Sequence, residues 1–175
     1  MKTKVYTLIL FLTVWSFSIT GQEKTKKELK EERELTKQNE IKALIDARNF
    51  VFEAQKVTPQ GGRLIQLDYN IYFLKFKTDT TTCDLPFFGR GFNVAYNSDG
   101  GIKFEGKPTN IKVENKKKNT VLKATVRGRT DVYDLTFTIF FNGSTTLNVN
   151  SNNRSTITYD GIIYAPKSEE KKKKS

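Results

Sequence analysis

The chain has 175 residues and a formal net charge of +11, but no histidine and a single cysteine, Cys83. This removes histidine-dependent acid–base and nucleophilic catalysis, most zinc sites and any internal disulfide. It leaves enough residues for one globular domain with a core that needs no covalent staples.

The first 21 residues carry a targeting pattern. Lys2 and Lys4 precede an apolar run from Val5 to Ile19, and small residues follow up to Gly21. Charge, apolar run and small residues in that order predict a secretory signal peptide with cleavage between Gly21 and Gln22, the pair Ser16/Ser18 being the alternative. The run is shorter than the roughly 20 apolar residues of a membrane-spanning helix. No cysteine sits near the cut, so a lipid anchor at that point is not expected. The expected destination is the periplasm or the extracellular space.

Residues 22–40 predict a charged helical spacer. Residues 23–49 hold eight Lys/Arg against seven Asp/Glu and contain no Gly or Pro. Strong helix formers dominate, Leu29 and Leu35 stand alone, and an apolar face begins only at Ile41, Leu44 and Ile45.

From Phe50 the apolar period becomes two. In "FVFEAQKV", Phe50, Phe52 and Ala54 share a face. In "RLIQLDYNIYFLKFK", Leu67, Tyr69, Ile71 and Phe73 alternate with polar residues. "VLKATV" sets Leu122, Ala124 and Val126 on one side, and "YDLTFTIFF" sets Tyr133, Leu135, Phe137, Ile139 and Phe141 on one side. "TLNVN" and "STITYDGIIY" continue the pattern. Many short runs of period two, joined by "ENKKKNT", "GRTD", "NGST" and "SNNRS", predict half-buried antiparallel strands linked by hairpins. Asn142-Gly143 is the strongest turn signal. The expected domain is mostly β and spans 41–166. After the N-terminal helix it is a meander of about seven to nine strands, curled as a lipocalin-like barrel or half-barrel; the alternative is a two-layer sandwich. Residues 167–175, with Lys171, Lys172, Lys173 and Lys174, predict a solvated basic tail that offers a weak contact to anionic surfaces.

The stretch from Leu85 to Gly106 is rich in glycine and aromatic residues. Pro86 suits a strand end or edge, and "NSDGG" suits a tight turn. A phosphate-binding loop is not expected, because a strand rather than a helix follows. Arg90, among Phe87, Phe88 and Phe92, is expected to stack on a ring or pair an acid. Tyr159 is expected inside, its hydroxyl bonded, with Arg154 pinning the turn before it. Phe87, Phe88, Arg90, Arg154 and Tyr159 are therefore the candidate ligand-contacting residues, with structural contacts as the competing role.

"FVFEA", "LPFFGRGF", "DGGIKFEG" and "FNGSTTLNVNSNNRSTITYDGII", in that order, resemble the domain-of-unknown-function family DUF4251 over residues 42–166. The resemblance implies a small exported protein or lipoprotein of Bacteroidota with a mostly β domain. It implies no activity. The expected function is a non-catalytic binding or interaction module of the cell envelope, whose partner would be an envelope protein or an apolar small ligand. Rings at Phe52, Tyr69, Phe73, Phe104, Tyr133, Phe137, Phe141 and Tyr159 would either line a cavity or fill a core. One alternative is a glycan hydrolase using two acids from Asp84, Asp99, Glu105, Asp131, Asp134 and Asp160. The other is electrostatic adhesion through the lysine tail. No catalytic residue, metal ligand, cofactor, specific nucleic acid or transmembrane span in the mature chain is assigned.

Overall fold

The computed structural model describes residues 25–92 and 100–167. The expected signal peptide with Gly21 and Gln22, the turn at Asp99, and Lys171 to Lys174 lie outside the described residues. The chain divides into two units, residues 1–33 and 34–175.

Helix α1 (Lys26–Asp46) begins with a capping box. The Glu28 backbone N–H donates to Thr25 Oγ1, and the Thr25 N–H donates to Glu28 Oε2 at 2.8 Å. The two side chains satisfy donors that the first turn leaves unpaired. Leu29 and Leu35 are exposed, whereas Ile41 and Ile45 are buried. Removing residues 23–38 is therefore expected to leave stability nearly unchanged, because little apolar area is lost. A chain beginning at Asn39 should melt within a few degrees of the full one by circular dichroism; loss of the β signal would contradict this.

Ten strands follow among the described residues: β1 (Phe50–Pro59), β2 (Ile65–Gln66), β3 (Phe73–Phe76), β4 (Thr81–Leu85), β5 (Ile102–Gly106), β6 (Pro108–Asn115), β7 (Asn119–Arg127), β8 (Val132–Phe140), β9 (Ser144–Ser151) and β10 (Ile157–Tyr164). Nine form one antiparallel sheet in the order β5-β4-β3-β1-β10-β9-β8-β7-β6, and β2 pairs only with β1. The sheet curls into a nearly closed barrel. Its two edge strands are consecutive in sequence and are joined through Lys107. At this corner the chain passes so close to β7 that a Cβ on Gly106 would strike the Arg127 carbonyl oxygen.

The β8–β9 hairpin turns on Asn142-Gly143. The Gly143 N–H donates to the Phe140 carbonyl, Gly143 has φ of 87°, and the Ser144 N–H donates to Asn142 Oδ1. This is a three-residue loop in which glycine takes the left-handed position. Ile41 of α1 packs directly on Gly143.

The barrel interior is filled. Phe50 stacks on Phe76 at 5.2 Å between centroids, and Phe137 meets both rings and Phe52 edge-on. Such pairs add about 0.5–1.5 kcal/mol each beyond area burial. Leu122, Leu135, Leu147 and Tyr159 complete the layer with almost no exposure. Of the rings expected to share one interior, Tyr69 and Phe141 do not belong. Phe141 lies past the end of β8, half-buried in the turn to β9. Tyr69 is 66% exposed, and Ile71 is 53% exposed. Asn70, with φ of 61°, bends the segment between β2 and β3 into a turn, and β3 resumes with Leu74 and Phe76 inward. Phe73 consequently lies on the outer face.

Cys83 is buried in β4, and its Sγ donates to the Ile102 carbonyl at 3.4 Å. Burial, then the neighbouring Asp84 charge, push its thiol well above the ordinary value. Thiolate is the reactive form, so Cys83 should resist alkylation at pH 8 in the folded protein and react readily in denaturant. Rapid labelling of the native protein would contradict this.

Candidate functional site

Most of the predicted ligand-contacting residues meet at one end of the barrel. The segment after β4 runs antiparallel to the β9–β10 connection. The Arg90 N–H donates to Ser155 Oγ, the Ser155 N–H to the Arg90 carbonyl, and the Phe92 N–H to the Asn153 carbonyl. Gly91 and Arg154 form a bridge between the two segments. Tyr159, fully buried in β10, donates its hydroxyl to the Pro86 carbonyl at 2.6 Å. Burial raises the Tyr159 phenol far above its usual value.

The arginines differ from expectation. Arg154, not Arg90, lies over a ring, with its guanidinium carbon 5.0 Å from the Phe87 centroid. Its Nη1 also donates to the Gly100 carbonyl at 2.8 Å. Arg90 is exposed, as is Phe88. Arg154 and Tyr159 thus tie the loops to the barrel, and Phe87 is the platform between them.

The five described acids that were candidates for paired carboxylates lie on separate strands or turns. Asp84 faces Lys103 at 3.8 Å, Asp134 accepts from Thr125 at 2.8 Å, and Asp160 accepts from Thr146 at 2.7 Å. Asp131 accepts from Ser151 and from the Val132 N–H. Glu105 is exposed on β5. Among the described residues, no group of three or more His, Cys, Asp or Glu side chains could hold a metal ion, and no helix is long and apolar enough to cross a membrane.

Sequence reasoning missed a second site. On the outer face of β3, β1 and β10 lies a groove of about 770 Å³. Its floor includes Glu53, only 7% exposed although it points out of the barrel. Glu53 Oε1 accepts the Asn70 N–H at 3.1 Å. The left-handed conformation of Asn70 belongs to the same turn. Burial, then the adjacent Glu53 charge, raise the Tyr164 phenol above its ordinary value, so it stays a neutral donor beside the carboxylate. Tyr72 and Phe73 supply further rings, and Lys75, Lys77 and Lys167 add positive charge. Lys75 Nζ sits 4.9 Å from the Phe73 centroid. No sequence signal marked this site, because an acid between Phe52 and Ala54 is what an outward position on a half-buried strand shows.

No functionally curated protein matches the chain. A solved structure described as a DUF4251 family protein from Bacteroides eggerthii DSM 20697 is similar in fold, with a TM-score of 0.59 and 22% identity over 74% of this chain and 88% of that one. The family model described as Domain of unknown function (DUF4251) matches residues 32–163. With most of the helix and nearly every strand inside that match, the chain belongs to the DUF4251 family.

Proposed function

We propose that the protein is an exported, non-catalytic binding module of the cell envelope whose ligand occupies the Glu53 groove. The observation that carries this reading is a nearly buried carboxylate on the outside of a barrel whose inside is already full. A packed interior leaves the outer wall as the place for a ligand. The groove joins acceptor oxygens, a neutral phenol, aromatic faces and lysines, a mixture suited to a small polar ligand with an apolar face. Export is supported by the order of Lys2, Lys4, the apolar run and Gly21 in the sequence.

Two measurements test it. A thermal-shift panel of neutral sugars, acidic sugars and apolar small molecules should contain a compound that raises the melting midpoint; at 100 times its Kd the stabilisation is about 2.7 kcal/mol. Glu53→Gln should fold and lose that shift. An equal shift in the variant would overturn the site, and turnover of any panel compound would overturn the non-catalytic assignment. Mass spectrometry of protein from its native host should find a chain starting at or near Gln22; an intact Met1 would overturn export.

A further inference from the structure

The loops at one end of the barrel share a composition that the groove does not explain. Five of the chain's seven arginines lie there: Arg63, Arg90, Arg127, Arg129 and Arg154. The segments that carry them, residues 58–64, 86–92, 127–131 and 151–156, contain no lysine, and their one acid, Asp131, is buried and hydrogen-bonded.

These segments form one surface. Pro59 at the end of β1 pairs with Ile157 at the start of β10. The segment 86–92 is hydrogen-bonded to the β9–β10 connection through Arg90, Phe92, Asn153 and Ser155. That connection reaches the β7–β8 turn through Asn153 Nδ2, which donates to the Thr130 carbonyl at 3.2 Å. Arg127 and Arg129 flank a shallow depression there with Asn152 and Asn153. Arg154 is committed to Phe87 and Gly100, whereas Arg63, Arg90, Arg127 and Arg129 are exposed.

Three large apolar side chains stand among them. Leu64 is 51% exposed, Phe88 48% and Phe92 69%. Exposed apolar side chains grouped with cations of one type mark a contact surface. Guanidinium forks match phosphate oxygens in pairs, and rings and aliphatic chains gain free energy in the acyl boundary just beneath a headgroup layer. A flat protein partner would use the arginines but leave this cation excess uncompensated unless it were acidic. A single-stranded nucleic acid would use the rings but not Leu64.

We propose that this arginine- and phenylalanine-bearing end seats on an anionic phospholipid surface, with Leu64, Phe88 and Phe92 inserted and the four exposed arginines paired to phosphates. The contact is independent of the Glu53 groove and uses the loop end rather than the lysine tail.

The test is vesicle flotation of the mature chain, residues 22–175, with phosphatidylcholine alone and with phosphatidylcholine mixed with phosphatidylglycerol. Binding is expected only to the mixed vesicles and should weaken as salt rises. Arg90→Ala and Arg129→Ala should each weaken it about fivefold, the effect of one basic residue at such a surface. Phe88→Ser with Phe92→Ser should abolish it at a salt concentration where the arginines are screened. Each of these side chains is exposed, so circular dichroism should show an unchanged fold. Removing residues 168–175 should leave most of the binding. The proposal fails if the tail deletion alone abolishes binding, if Arg90→Ala and Phe88→Ser have no effect, or if a single-stranded oligonucleotide binds more tightly than the vesicles and displaces them.

Discussion

Replacing Gly161 with alanine is expected to lower the unfolding free energy by about 3 kcal/mol, at the upper end of overpacking costs. Gly161 in β10 pairs with Ala54 in β1, where the register slips between Ala54 and Lys56 and Gln55 bulges out. A Cβ on Gly161 would collide with the Glu53 carbonyl oxygen and press on Ala54 Cα. Those atoms are backbone in the middle of a sheet and cannot swing aside. Glycine in a strand interior often marks such a close approach. The bulge is itself anchored, since the Gln55 carbonyl accepts the Leu67 N–H and the Ala54 N–H donates to the Tyr72 carbonyl. Urea titration should show a lower midpoint with an unchanged slope. A midpoint within experimental error of wild type would mean that β1 and β10 separate more easily than the pairing implies.

Tyr159→Ala should cost about 3–5 kcal/mol, the range for core aromatic truncations. Its ring is fully buried, and its hydroxyl is the link from β10 to Pro86. Tyr159→Phe separates the two contributions. It keeps the ring but strands the Pro86 carbonyl, and should cost about 1–3 kcal/mol. Arg154→Ala should cost less than Tyr159→Ala, about 1–2 kcal/mol, because its stacking on Phe87 and its bond to Gly100 are partly solvated. Chemical denaturation of the three variants beside wild type checks the order. Full stability together with loss of binding to an envelope component would overturn the structural reading and make this corner a binding site.

Much of the barrel was legible because half-buried strands write their faces into the sequence with period two. Leu122, Ala124 and Val126, and Tyr133, Leu135, Phe137 and Ile139, all point inward as that period requires. The phase failed at Tyr69, Ile71 and Phe73, where the polar–apolar alternation continued through a turn. Asn70 adopts a left-handed conformation, which asparagine tolerates better than most residues, but a single asparagine inside an unbroken alternation does not mark the turn. Tyr159 could be placed because ring burial and hydroxyl bonding are strong local demands. The guanidinium over the Phe87 ring could not, since Arg90 and Arg154 are 64 positions apart in sequence and adjacent in space. Glu53 was invisible for a related reason. An outward residue on β1 reads as solvated, and only Asn70, Tyr72, Tyr164 and Pro166, brought in from other elements, bury it around the groove.

The seam of the barrel lies between β5 and β6, in mid-sequence, whereas the first and last strands pair in mid-sheet. Joining β1 to β10 therefore closes a loop of on the order of 100 residues, an entropic cost of about 4 kcal/mol that no hairpin shares. The four hairpin pairings from β6 to β10 close locally and are expected to form early, with β1 docking last in the rate-limiting step. Because Val51 already lies opposite Tyr164, the two ends of the domain are neighbours. Joining Pro166 to Asn39 by a short loop, which keeps the docked end of α1 between β10 and β1, and opening the chain at Lys107 would turn the same barrel into a meander in which β10 and β1 meet across a few tens of residues, on the order of a quarter of the natural separation. That permuted chain should fold markedly faster than the natural one, as stopped-flow fluorescence would report.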